Sequence, residues 1–173
     1  MNLKKVFVLL LLFLFFASLS VPANDQKEPI NWRKFKPFCP SIPGWKKVGD
    51  FTGSTIRDPF EMSQGQQGYV DGKKKLMILF VDSVGDLMIL APFKTMVETE
   101  VDTSTHYQKK FTVEGHPGVV IYDFTNKTAG IIVLIASRFY IHITGENIEE
   151  QAVDGFKAII KLIDIKKLAE LAK

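Results

Sequence analysis

GVVIYDFTNKTAGIIVLIASRFYIHIT, residues Gly118 to Thr144, holds three runs of high strand propensity separated by small or polar turn residues. Val119 to Thr125 is β-branched and aromatic, Ile131 to Ile135 is unbroken aliphatic, and Phe139 to Thr144 alternates apolar with polar. Three consecutive strands in an antiparallel meander follow. A strand with one wet face alternates, whereas Ile131-Ile132-Val133-Leu134-Ile135 shows no alternation. Both of its faces must therefore be covered, which predicts that it lies at the centre of the core.

C-terminal to the meander, Ile148, Ala152, Phe156, Ile159, Ile160 and Ile163 fall on one stripe at helical spacing, with Glu149, Glu150, Asp154, Lys157 and Lys161 opposite. This amphipathic helix is expected to cover one sheet face, with Asn147 as its cap and Glu150 at the third helical position. Asp164 restarts a short last helix, Ile165 to Ala172.

Towards the N-terminus, Tyr107 to Val113 reads as a strand entering the meander through a Glu114–Gly118 turn, and Glu98 to Thr105 as a polar linker. Before that linker comes a shorter central helix. Its predicted start is near Leu90, which puts Pro92 in the first turn, where no backbone donor is missed. Lys74 to Asp82 is a strand reached through an Asp71-Gly72 hairpin turn. The preceding run to Val70 is weakly patterned and Asp50 to Pro59 reads as irregular. The fold class is thus α+β, an antiparallel sheet packed with a C-terminal amphipathic helix and a shorter central one.

At the start of the chain, Lys4-Lys5 precede an apolar run, Val6 to Phe16, and then small residues up to Ala23. That layout predicts a signal peptide over residues 1–23, cut between Ala23 and Asn24, and hence an exported protein, periplasmic or secreted. The apolar run is short of the ~20 residues of a spanning helix. Residues 24–39 read as a lead-in tether and 40–173 as a single α+β domain, opened by the extended Pro40-Ser41-Ile42-Pro43-Gly44-Trp45 path. A chain of this size buries about 68–70% of its extended surface, so the single cysteine, Cys39, need not be part of any staple. The formal charge of +3 includes Lys4 and Lys5. Without them the chain is almost neutral, which gives no footprint for nucleic acid.

No phosphate-binding loop, nucleophile elbow, HExxH or paired CxxC occurs. The three histidines and Cys39 have no metal-ligand spacing, so neither metal nor cofactor is expected. Cys39, between Phe38 and Pro40, has no neighbour to lower its pKa. Asn126-Lys127-Thr128 matches a glycosylation sequon but stands where the chain must turn, and Lys73-Lys74-Lys75 is a solvated hairpin end. Asp123 would be costly to bury unpaired, so Arg138 or a nearby lysine is its expected partner. The candidate binding face is Tyr122, Tyr140 and His142, which would form a hydrogen-bonding surface if the three share one side of the sheet. Trp32, Arg33, Lys34, Phe35 and Lys36 interleave aromatic and basic residues, a pattern suited to weak contact with a membrane surface.

Thr112-Val113-Glu114-Gly115, Val119 to Asp123 with its Tyr122-Asp123, the apolar strand after it, Arg138-Phe139-Tyr140 and the terminal amphipathic helix together resemble the PsbP-like fold. Ile42-Pro43-Gly44-Trp45 and Leu90-Ala91-Pro92-Phe93 are most similar to a group of short exported bacterial proteins of that fold. The resemblance spans about Pro40 to Ala172. It implies an antiparallel sheet packed with helices and an accessory or binding role, with no catalytic residues to transfer. The functional expectation is a non-catalytic cell-envelope module binding an envelope protein or small ligand. The alternative is a small cofactor-free enzyme using His142 with a nearby acid.

Overall fold

The computed structural model describes residues 28–58 and 61–173, so the predicted signal peptide and the Ala23–Asn24 junction lie outside the described residues. Its centre is one antiparallel sheet of eight strands in the order β1-β2-β3-β8-β7-β6-β5-β4. The strands are β1 (Lys46–Ile56), β2 (Met62–Asp71), β3 (Lys74–Asp82), β4 (Val101–Asp102), β5 (His106–Val113), β6 (His116–Asp123), β7 (Thr128–Ile135) and β8 (Phe139–Glu146). The meander is present as expected: β7 pairs with β6 on one side and with β8 on the other. Ile131, Val133 and Ile135 are wholly buried on one face, and Ile132 and Leu134 are buried on the other.

Helix α1 (Leu87–Glu98) lies over β6 and β7, contributing Leu90 and Val97 to a small core with Val81, Val119, Ile132, Leu134 and Tyr140. It starts earlier than the sequence suggests. Asp86 caps it by accepting a hydrogen bond from Met88 N at 2.7 Å, and Pro92 lies in its interior. That is tolerated because Met88 and Pro92 are on the solvent side, so the Met88 carbonyl that Pro92 cannot serve is open to water. At the other end, Gln108 Nε2 donates to the carbonyls of Met96 and Thr99, which satisfies groups a helix terminus leaves unpaired.

The opposite face carries the larger core. Helices α2 (Val153–Ile160) and α3 (Ile165–Glu170) cover it, and the isoleucine stripe from Ile148 to Ile163 is buried as the periodicity requires. Asn147 is not the cap. It has a left-handed backbone, φ 57°, and its side chain donates to the Lys73 carbonyl, while Ile148 N is already bonded to the Lys127 carbonyl. The helix therefore starts later, through a 3-10 turn at Glu150–Ala152. Where β8 passes beneath α2, a side chain on Gly145 would collide with the Phe156 ring.

Residues 24–39 are not a tether where they are described. Trp32–Phe38 is a 3-10 helix packed on β1 and β2, with Phe35 fully buried and stacked on Phe80 at 5.7 Å between ring centres. The folded unit thus begins well before Pro40. Two glycines admit this segment: a Cβ on Gly53 would press on the Trp32 ring at 2.9 Å, and one on Gly65 would meet Phe51. The span from Asp50 is not irregular but part of β1. Its pairing with β2 shifts between Val48 and Thr52, where Gly49 takes φ +66° and makes a bulge. Likewise the linker at 98–105 contains β4, and the turn into β6 is only Glu114-Gly115, because Val113 already pairs with His116.

Asp82 and Arg138 tie these layers together. Arg138 donates from Nε to Asp82 Oδ1 at 2.8 Å and from Nη2 to Oδ2 at 2.7 Å, with the side chains 8% and 0% exposed. The carboxylate's remaining capacity is used by Ile30 N and Val84 N, which donate to it, and Arg138 Nη2 also donates to the Glu28 carbonyl. Removing one partner strands a buried charge. Arg138→Ala should lower stability by about 3–5 kcal/mol, read from the urea midpoint, and the paired change Asp82→Leu with Arg138→Met should cost less than the single substitution.

Candidate functional site

The structure brings Tyr140 and His142 together and separates them from Tyr122. Tyr140 and His142 point to the α1 side of β8, where His142 pairs with Ile132 and with Leu79. Tyr122 pairs with Ala129 and lies in the other core, 2% exposed, its hydroxyl donating to the Ile148 carbonyl at 2.9 Å. The shared face expected for the three residues is therefore corrected to a pair. The reason is parity across the turns: Ala129 is in step with Ile131 to Ile135, and Ile135 pairs with Phe139, so Tyr140 and His142 fall on the opposite side.

Helix α1 covers only one end of β8 and β3, where Tyr140 and Val81 join its core. Its Phe93 ring stacks on Tyr140 at 4.0 Å between centres, and burial pushes the Tyr140 hydroxyl up to about 12. Beyond that stack the sheet face is open across β8, β3, β2 and β1. It presents His142 and Thr144 from β8, Met77 and Leu79 from β3, and Gln64 and Gln66 from β2, by the alternation of paired strands. Met77 is 38% exposed, while Leu79, His142 and Thr144 are half-buried. The imidazole leans over β7 at a glycine: a Cβ on Gly130 would lie 3.8 Å from His142 Nε2. Toward the edge, Thr52, Ser54, Gln64, Gln66 and Leu79 line a depression of ≈ 270 Å³, and Gln64 Nε2 donates to Ser54 Oγ at 3.3 Å.

This surface is apolar next to α1 and rich in amides and hydroxyls toward β1, and at its hairpin end Lys75 and Glu146 pair at 3.2 Å. No hydrogen bond or ion pair among the described residues reaches His142, and burial alone holds its pKa below the ordinary 6.5, so it is neutral at pH 7. A catalytic histidine needs a neighbour to orient it. Among the described residues no acid is bonded to the His142 ring, and Asp123 is occupied by its own turn, where burial pushes its carboxyl up but hydrogen bonds from Asn126 and Thr125 outweigh this and hold it below the usual value. Arg138 is not the partner of Asp123, being bound to Asp82.

The remaining candidates are structural in their contacts. Cys39 is buried, which pushes its thiol up to about 11 despite Lys47 and Lys36 nearby. In the aromatic-basic run Phe35 faces inward, Trp32 rests on Phe51 with the Arg33 guanidinium 4.4 Å above its ring, and Arg33, Lys34 and Lys36 alone are exposed. The run thus presents three basic side chains beside a half-buried Trp32, with Phe35 turned into the core. Among the described residues no helix is long and apolar enough to cross a membrane, and no three His, Cys, Asp or Glu side chains gather as metal ligands. The open face itself was not legible as such, because the sequence signal for it is only the amide-rich, poorly alternating MSQGQQGYV.

Comparisons with family models, with curated proteins and with solved structures gave no match.

A histidine whose folded pKa is depressed is protonated first in the unfolded chain, so its effect on stability is absent above pH 6.5 and grows as pH falls below that value, until folded His142 itself takes a proton. Urea unfolding at pH 7 and pH 5 should show a smaller loss of stability for His142→Gln than for the unchanged protein.

Proposed function

We propose that the chain is an exported, non-catalytic binding module of the cell envelope that captures a partner on the open half of its sheet, around His142, Met77 and Gln66. One observation carries this reading: α1 covers β6, β7 and the Val81–Tyr140 end of β3 and β8, and the rest of the β1–β2–β3–β8 face is a strand surface of mixed apolar and hydrogen-bonding side chains on which the His142 ring has no partner among the described residues. A fixed sheet surface loses little freedom on binding, which favours recognition. Export rests on the charged, apolar and small-residue order of residues 1–23. A PsbP-like relationship is part of the same proposal, supported by the antiparallel sheet with helices on both faces and by the residues that suggested the resemblance.

The test is capture from an envelope extract by the immobilised protein. Met77→Glu combined with His142→Gln should reduce the captured partner at least tenfold, while Tyr122→Phe, on the buried opposite face, should leave it unchanged. Equal capture by the open-face variant and the unchanged protein would remove this surface as the binding site.

A further inference from the structure

On the other side of the sheet, a groove of ≈ 480 Å³ runs between the Ile42–Trp45 turn and α2. That size falls within the ~300–1,000 Å³ of small-molecule sites. Its floor is apolar, made by Ile42, Ile148, Phe156 and Ile159, all of them buried. Trp45 forms one wall, its ring edge-on to Phe156 at 6.3 Å between centres, and Leu162, 48% exposed, forms the outer lip.

Two further features set this groove apart from an accidental gap. Gly155 sits inside α2, where alanine would be the better helix former, yet a Cβ there would meet nothing within 4 Å. Packing does not require the glycine, and a larger side chain at that position would fill the groove. Lys74 lines the rim, at the tip of the β2–β3 hairpin. The Asn147 side chain holds that tip against the start of the C-terminal segment by donating to the Lys73 carbonyl at 2.9 Å, so the cationic rim and the apolar floor are fixed relative to each other. At this tip two lysines meet one acid: Lys74 contacts Asp71 at a loose 3.4 Å and Lys73 has no ion pair among the described residues, whereas Lys75, paired with Glu146, lies on the other face of the sheet. The rim therefore keeps an excess of positive charge beside a hydrophobic trough.

We propose that this groove binds a small amphipathic monocarboxylate, with its aliphatic chain along Trp45, Phe156 and Gly155 and its carboxylate at Lys74. It is separate from the His142 face and stands whether or not that face binds a partner.

Calorimetric titration of the full chain with sodium decanoate, below its micelle concentration, should show one saturable site. Gly155→Leu should weaken it at least tenfold by occupying the groove, and Lys74→Glu at least fivefold. Decyltrimethylammonium, with the same chain and the opposite charge, should bind at least fivefold more weakly than decanoate. Lys74→Glu changes an exposed hairpin residue, so it carries the test even if Gly155→Leu does not fold. No saturable binding, unchanged affinity in Lys74→Glu, equal affinity for the cationic probe, or binding only to vesicles of phosphatidylglycerol and not to dissolved decanoate would each overturn the proposal.

Discussion

The double burial of β7 is the constraint that the rest of the molecule answers to. A strand whose side chains are apolar on both faces needs a layer above and a layer below, and this chain builds the two very unequally. One face receives the N-terminal 3-10 helix, α2 and α3, with the aromatics Phe35, Phe38 and Phe156 filling the space. Of the described helices, the other receives only α1. A helix of 12 residues is about 18 Å long, whereas eight strands at the usual spacing span about 34 Å. Even laid straight across the strands, α1 cannot cover the sheet, and an open half follows from its length.

That arithmetic explains which parts of the fold were legible. The runs at β3, β6, β7 and β8 announce themselves because burial on one or two faces demands continuous or alternating apolar residues there. The isoleucine stripe of the C-terminal helix does so for the same reason. β1 and β2 carry no such demand. Their outer face is Gln64 and Gln66, and their inner face joins β1's own Phe51, lying against Gly65, to Trp32, which comes from outside the hairpin and lies against Gly53. A strand whose hydrophobic partner is supplied by a distant segment has little pattern of its own.

The N-terminal segment hides its packing for a related reason. Three basic residues around Phe35 hide a residue that is fully buried, because a 3-10 turn of three residues sends one side chain inward and its neighbours outward. Its docking also depends on partners more than fifty residues away, since Ile30 N and the Glu28 carbonyl bond to the Asp82–Arg138 pair. The cost of burying a lone carboxylate makes Arg138 or a nearby lysine a reasonable partner for Asp123. Strand registers decide otherwise, placing Asp82 opposite Phe139 and next to Arg138.

Site residues were the least legible, and the physical cause is specific. Alternation fixes which residues share a face within a strand, so Tyr140 and His142 could be paired with certainty. It says nothing across a turn, where the number of loop residues and the register set the phase. The β6–β7 register aligns Tyr122 with Ala129 and so with the inner row of β7, which sends its ring into the larger core. There its hydroxyl anchors Ile148, the residue from which the chain leaves the sheet for α2. The same tyrosine that looked like part of a surface thus helps to fix the layer whose outer side carries the Trp45–Phe156 groove, while the surface is left to His142 and the uncovered strands beside it.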